Sequence, residues 1–247
     1  MKITWTTPAG NVPALCLSIL KQPHILIAGA TGSGKSVVIN STIYTALYKS
    51  PAQCKLVLID PKRVELVKYR NLPHTLAYAS EPYEIFSALA GVERLMESRY
   101  KAMQRRGEVK SQEAEVYVVI DEFADLMTTQ KKETLPILCR LAQLGRAANV
   151  HLIIATQRPT RDIVNGQIKV NMDCRLALRC PSPRDSINII DQKGAEALPR
   201  YGYGYYQTPE GLQLVQIPMI AEDELQARID HWEGQNRLTR WLWKTKL

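Results

Sequence analysis

Gly29-Ala30-Thr31-Gly32-Ser33-Gly34-Lys35-Ser36 lies between the apolar run Ile25-Leu26-Ile27-Ala28 and a stretch without Gly or Pro, Val37-Val38-Ile39-Asn40-Ser41-Thr42-Ile43-Tyr44. Strand, Gly-rich loop and helix in that order are what a phosphate-binding loop requires. Glycines at 29, 32 and 34 allow a tight turn in which successive N–H groups converge on a polyphosphate, and the first turn of the helix adds its own free donors. In this reading residues 29–37, through Val37, bind nucleotide, with Lys35 on the β and γ phosphates and the Ser36 hydroxyl on Mg²⁺. A Gly-rich turn with a solvated lysine is the plain alternative, and a second motif is needed to displace it.

A chain of 247 residues accommodates one α/β domain with a sizeable core, or two small ones. No apolar run approaches the ~18 residues of a membrane span, and the N-terminus lacks the pattern of a signal peptide. The expectation is a cytoplasmic protein with no membrane span in this chain. Five cysteines, Cys16, Cys54, Cys139, Cys174 and Cys180, lie in or beside apolar segments without C-x-x-C spacing, as reduced core thiols do. The four histidines are too scattered for a metal cage. A net charge of +8 points weakly to a polyanionic partner.

Apolar strands alternate with helical segments along the chain. Residues 55–60, 75–79, 116–120, 150–157 and 174–180 read as strands, and 37–49 and 130–148 as helices. From Pro82, Ile85, Leu89, Val92, Met96, Arg99 and Met103 recur at intervals of three and four, the stripe of a long amphipathic helix that Gly107 ends. Arg94, Arg99, Lys101, Arg105 and Arg106 are read as its solvated basic face. The segment Pro13-Ala14-Leu15-Cys16-Leu17 is expected to be an edge strand. Near the C-terminus, Tyr201–Tyr206 and Leu212–Ile217 read as a β-hairpin turning at 208–211, with the tyrosines packed on the sheet edge. Residues 222–247 look helical. The fold class is therefore α/β: a mostly parallel sheet with helices on both faces, followed by a C-terminal hairpin and helix. The expected organisation is a short lead over 1–22, one α/β nucleotide-binding domain over 23–234, and a basic tail over 235–247 that carries Trp241 and Trp243 and is suited to a docking partner.

Val116-Tyr117-Val118-Val119-Ile120 closes in Asp121-Glu122. Asp121 supplies the second Mg²⁺-side carboxylate of a nucleotide site. Glu122, one residue on, is placed to orient and deprotonate the water that attacks the γ phosphate, a role that hydrolases need and kinases do not. Gln157, closing the strand 150–157, is a candidate sensor of the γ phosphate. No Asn-Lys-x-Asp guanine-reading segment occurs, which favours ATP.

The blocks Pro23-His24-Ile25-Leu26-Ile27-Ala28-Gly29, Asp60-Pro61-Lys62, Asp121-Glu122-Phe123-Ala124-Asp125-Leu126, Arg140-Leu141-Ala142-Gln143, His151-Leu152, Ala155-Thr156-Gln157-Arg158-Pro159 and Asp191-Gln192, with Gly194-Ala195-Glu196, resemble the motor domain of the FtsK/SpoIIIE family of DNA translocases. The resemblance is ordered and runs from about residue 10 to residue 232. It implies a RecA-like ATPase forming a ring, usually a hexamer, around double-stranded DNA. It also implies an arginine supplied in trans to the γ phosphate, with Arg146 as the candidate and Arg140 second. Pore contacts to DNA are expected from two basic loops, 127–132 with Lys131 and Lys132, and 161–169 with Arg161 and Lys169.

The family's Gly-x-Gly-Asp-Met-Leu segment is replaced by Tyr201-Gly202-Tyr203-Gly204-Tyr205-Tyr206. The short lead and the lack of room for a C-terminal winged-helix module lead to the expectation of a compact motor for plasmid, phage or integrative-element DNA. A protein-export ATPase of the type VII secretion kind and a viral DNA-packaging ATPase are the rival readings.

Overall fold

The structure is a computed structural model that describes residues 14–164 and 166–244, with side chains through 235. Eight strands form one sheet in the order β3-β2-β4-β5-β1-β6-β7-β8: β1 His24–Ala28, β2 Cys54–Ile59, β3 Thr75–Ala79, β4 Glu115–Ile120, β5 Val150–Thr156, β6 Cys174–Leu178, β7 Tyr203–Thr208 and β8 Gly211–Gln216. β1 to β6 run parallel. β7 and β8 add an antiparallel hairpin beyond β6.

The central strands are apolar over residues 25–28, 116–120 and 152–155 because both faces are covered, and their alternation assigns each residue to a face. Leu26 and Ala28 of β1, Val116, Val118 and Ile120 of β4 and Leu152 and Ile154 of β5 enter one core. Over it lie α3 Pro82–Arg106, α4 Phe123–Thr129, α5 Lys131–Leu144, α6 Gly166–Lys169 and α7 Pro183–Ile190. Ile25 and Ile27, Tyr117 and Val119, and Ile153 and Ala155 enter the other, beneath α1 Ala14–Lys21, α2 Lys35–Ala46 and the first turns of α8 Glu222–Lys244.

α3 buries the stripe read from its sequence and stops at Gly107, which takes the left-handed conformation at φ 66°. Its Arg99 does not belong to a solvated face. It is 4% exposed and donates to the carbonyls of Ala148, at 2.7 Å, and Ala114, at 2.7 Å. Trp232 of α8 donates from its indole to the Leu47 carbonyl at 2.9 Å and meets His74 edge-on, fastening the last helix over the end of α2.

Two local expectations are overturned. Residues 14–17 are helical, not an edge strand: Leu15, Cys16, Ile19 and Leu20 repeat at helical spacing, and α1 packs them against α2. The segment 127–132 is not a loop either. α4 and α5 meet there with only Gln130 between them, at φ −147° and ψ 36°. The hairpin turns where expected, and Tyr206 is 5% exposed with its hydroxyl 3.2 Å from that of Ser18. The lead over 1–13 and the side chains of Trp241 and Trp243 lie outside the described residues. Among the described residues no helix is long and apolar enough to cross a membrane.

Candidate nucleotide site

The parallel strands bring their carboxyl ends to one rim, where residues 29–36 bridge β1 and α2. The Gly29 N–H donates to the Thr156 carbonyl at 3.3 Å and the Ala30 N–H to that of Arg179 at 2.9 Å, so the loop is tied to the ends of β5 and β6. A Cβ on Gly29 would sit 2.6 Å from both Leu178 Cβ and Ser33 Oγ, which only glycine avoids. Gly32 and Gly34 have φ of 74° and 104°, the conformation that lets successive amides face inward. Thr31 is exposed, Ser33 is buried, and Ser36 and Val37 lie half-buried in the first turn of α2.

Lys35 is 4% exposed. Its ammonium donates to Asp121 Oδ1 at 2.7 Å and to the Asp121 carbonyl at 2.6 Å. Burial pushes the Asp121 carboxyl above its ordinary range, Lys35 opposes that shift, and the nearby Glu65 and Asp60 carboxylates add to it. The Ser36 hydroxyl donates to Glu65 Oε1 at 2.6 Å.

Glu122 caps the N-terminus of α4 and is 1% exposed. Oε1 accepts from the Thr156 hydroxyl at 2.7 Å, the Gln157 N–H at 3.1 Å and the Ala124 N–H at 3.4 Å. The Lys62 ammonium stands 3.5 Å from Oε2. Gln157 faces the phosphate loop: its Oε1 accepts from the Thr31 hydroxyl at 2.9 Å. A carboxylate with three fixed donors and one exposed cation beside it is held in one orientation next to the loop, as a group that must align a water has to be.

The loop fits a polyphosphate by its own geometry. Ser33 Oγ is buried within it without a hydrogen-bond partner, and open space stands where Gly32 and Gly34, both at positive φ, would carry a Cβ. The hydroxyl and carboxylate oxygens around Ser36 are the hard donors that magnesium prefers. Among the described residues no group of three or more His, Cys, Asp or Glu is arranged to hold a metal by itself.

The other residues singled out by the sequence are elsewhere. Arg146 is exposed at the opposite rim, in a cleft of about 420 Å³ bordered by Pro23, His24 and His151 at the amino ends of the strands. Arg140 is paired with Glu97 and Glu93 of α3. Lys131 and Lys132 are exposed at the start of α5, and Arg161 is exposed after Pro159. The two segments are neighbours, since Asp162, whose carboxyl is held low first by the Thr160 hydroxyl, also feels Lys131. Lys169 is engaged at home, 2.7 Å from Asp191, which also binds Arg175 at 2.7 Å. Sequence reasoning missed Lys62 and Glu65 as members of the site. Their position after an apolar strand that closes in Asp60 was the available signal, since strand ends in a parallel sheet converge on one rim.

The model of the FtsK/SpoIIIE family matches residues 10–114 and 105–161. Proteins named DNA translocase FtsK are 41% identical over 235 residues in Helicobacter pylori J99 and 35% identical over 270 residues in Mesorhizobium japonicum, alignments that cover 88% and 91% of this chain. The chain spans only 28% and 30% of those relatives. Among solved structures, the pCW3 conjugation coupling protein TcpA with ATPgS superposes with a TM-score of 0.75 at 25% identity, over 86% of this chain and 65% of that one. The cytoplasmic domain of the Thermomonospora curvata type VII secretion ATPase EccC shares the fold, with a TM-score of 0.73 at 22% identity over 85% of this chain and 28% of that one. With its P-loop ATPase fold and a family match that spans more than half its length, the chain belongs to the FtsK/SpoIIIE family.

Proposed function

We propose that this chain is an ATP-hydrolysing motor that assembles into a ring, as a hexamer, and translocates double-stranded DNA. The observation that carries the hydrolytic part is Glu122, buried and pinned to the end of β5 by Thr156 and Gln157 beside the Lys35 and Asp121 pair. A strand-end carboxylate so fixed is suited to take the proton of an attacking water. The DNA part is supported by the relatives that bear the name of a DNA translocase and by TcpA, named for conjugation coupling. The likeness to TcpA also favours transfer of a mobile element as the setting.

In this reading the amides of residues 29–37 and the Lys35 ammonium hold the phosphates of ATP, and Lys35 exchanges Asp121 for them. Magnesium, held by the Ser36 hydroxyl and Asp121 directly or through water, supplies positive charge to the phosphate oxygens. Gln157, bound to Thr31, links the state of the γ phosphate to the segment that carries Arg161. Arg146 of one subunit reaches the nucleotide of the next. Lys131, Lys132 and Arg161 contact the DNA backbone, giving binding that is independent of sequence and sensitive to salt.

The test is steady-state ATP hydrolysis with and without long linear double-stranded DNA at low and moderate salt, with Glu122→Ala as the blank. Stimulation by DNA that weakens with salt and vanishes in the variant is the expected result. Hydrolysis by well-folded protein that ignores DNA at every salt concentration would overturn the translocase assignment.

A further inference from the structure

Glu65 lies on no motif read from the sequence, yet it takes the proton of the one P-loop side chain suited to a metal. A serine hydroxyl has one proton and two lone pairs. With the Ser36 proton committed to Glu65 Oε1 at 2.6 Å, the lone pairs are left for a cation and the oxygen becomes a stronger ligand. We propose that Glu65 is a positioning residue for magnesium: it fixes the Ser36 hydroxyl in its ligating orientation and adds a negative charge on the metal side of the phosphate loop. The inference rests on the reading that Ser36 ligates the cation of Mg·ATP.

The charge arrangement supports it. Asp121 stands 2.7 Å from Lys35, so its charge is shared with that lysine until the phosphates draw it away. Glu65 is half-buried and, among the described residues, has no lysine or arginine within ion-pair distance. Its carboxylate is therefore not neutralised by the protein, as a group that assists a divalent cation should not be.

The backbone around Glu65 is built to hold it. Parallel pairing of Ile59 with Ile120 sets Asp60 beside Asp121, and the Asp121 N–H donates to the Ile59 carbonyl at 3.1 Å. From there the chain folds back on itself. The Arg63 N–H donates to the Asp60 carbonyl at 3.1 Å, with Arg63 in the left-handed region at φ 58°. The Leu66 N–H donates to Asp60 Oδ2 at 3.0 Å, and the Leu66 side chain is fully buried. Glu65 is thus fixed from the residue after it by an anchor on each side of the backbone. Asp60 Oδ1, in a side chain with no exposure, has no hydrogen-bond partner and is a further acceptor beside the same site.

The experiment compares full-length wild type, Glu65→Ala and Glu65→Gln in two titrations. A fluorescent ATP analogue is bound in Mg²⁺ and in EDTA, and Mn²⁺ binding to the nucleotide complex is followed by electron paramagnetic resonance. Glu65→Ala should weaken Mn²⁺ binding about 10- to 100-fold while leaving nucleotide affinity in EDTA unchanged. Glu65→Gln, which still accepts the Ser36 proton but carries no charge, should fall between. Thermal melts establish that each variant is folded, and if the alanine variant is not, the glutamine variant decides alone. Wild-type Mn²⁺ affinity in a folded variant, tighter binding, or equal weakening in EDTA would overturn the role of Glu65. Absence of any metal-dependent gain in the wild type would sink the Ser36 reading, and this inference with it.

Discussion

The two rims of the parallel sheet are built in opposite ways. At the carboxyl ends Lys35, Asp121 and Glu122 are at most 4% exposed, and each is hydrogen-bonded to a neighbour. At the amino ends Lys21, Lys110 and Arg146 line an open cleft, and among the described residues the Arg146 side chain has no hydrogen bond or ion pair. A group that acts on a substrate held by its own chain gains from being fixed and dry before the substrate arrives. A group that acts on a neighbour's substrate has to remain exposed and uncommitted until the neighbour docks. In the proposed ring, burial and pairing would separate Glu122, acting on its own chain's nucleotide, from Arg146, acting on a neighbour's.

The largest expected effects test that division directly. Glu122→Gln and Arg146→Ala should each lower DNA-stimulated hydrolysis by about 10²- to 10⁴-fold while both proteins still bind ATP. Mixed together, the two inactive proteins should recover activity, because some interfaces then combine an intact Glu122 from one subunit with an intact Arg146 from the next. A mixture that exchanges subunits yet stays inactive would break the comparison, and activity of Arg146→Ala alone would remove the amino rim from catalysis.

A smaller effect, on stability, separates the glycines of the two rims. Gly145 precedes Arg146, and a Cβ there would lie 2.5 Å from the carbonyl oxygens of both Leu141 and Val150 and 3.2 Å from His24 Cε1. Backbone on two sides cannot step aside cheaply, so Gly145→Ala should cost about 3 kcal/mol in urea unfolding. Gly29→Ala at the other rim meets Leu178 Cβ and Ser33 Oγ at 2.6 Å and the Arg179 carbonyl at 3.3 Å, so it should cost stability and, by displacing Ser33 within the phosphate loop, nucleotide affinity as well. Nucleotide binding left intact would show that the phosphate loop tolerates the extra atom.

The sequence made most of this legible where one signal dominated. Strands buried on both faces are runs of Val, Ile and Leu, and the stripe of α3 repeats over many turns, so both stand out. The Gly-rich loop and the pair Asp121 and Glu122 carry their chemistry in residue type. α1 was misread because five residues after a Pro-rich lead are too few to separate a period of two from one of 3.6. The joint at Gln130 is hidden because the polar run 128–132 around a single non-helical residue looks like a loop. Lys62, Glu65 and the pairing of Lys169 with Asp191 depend on which strand ends and helices become neighbours, and no local pattern encodes that.

The smallest effect distinguishes the rims by acid. His24 opens β1 at the amino rim, where burial first, and His151 beside it second, push its imidazole down to about 3. His151 and His74 are also lowered, in both cases chiefly by burial. A lowered value means that the unfolded chain takes up the proton first. The stability each neutral histidine contributes is complete above its unfolded value near 6.5 and is lost as pH falls from there towards the folded value. For His24 alone the loss at pH 5 amounts to about 2 kcal/mol. Urea unfolding at pH 7, 6 and 5 should show wild type losing stability faster than His24→Gln, whose amide stays neutral and whose oxygen can replace Nδ1 as acceptor for the Leu152 N–H. Parallel lines for the two proteins would mean that the proton goes elsewhere. Convergence at pH 5 would place the acid-sensitive part of the fold at the rim that carries Arg146.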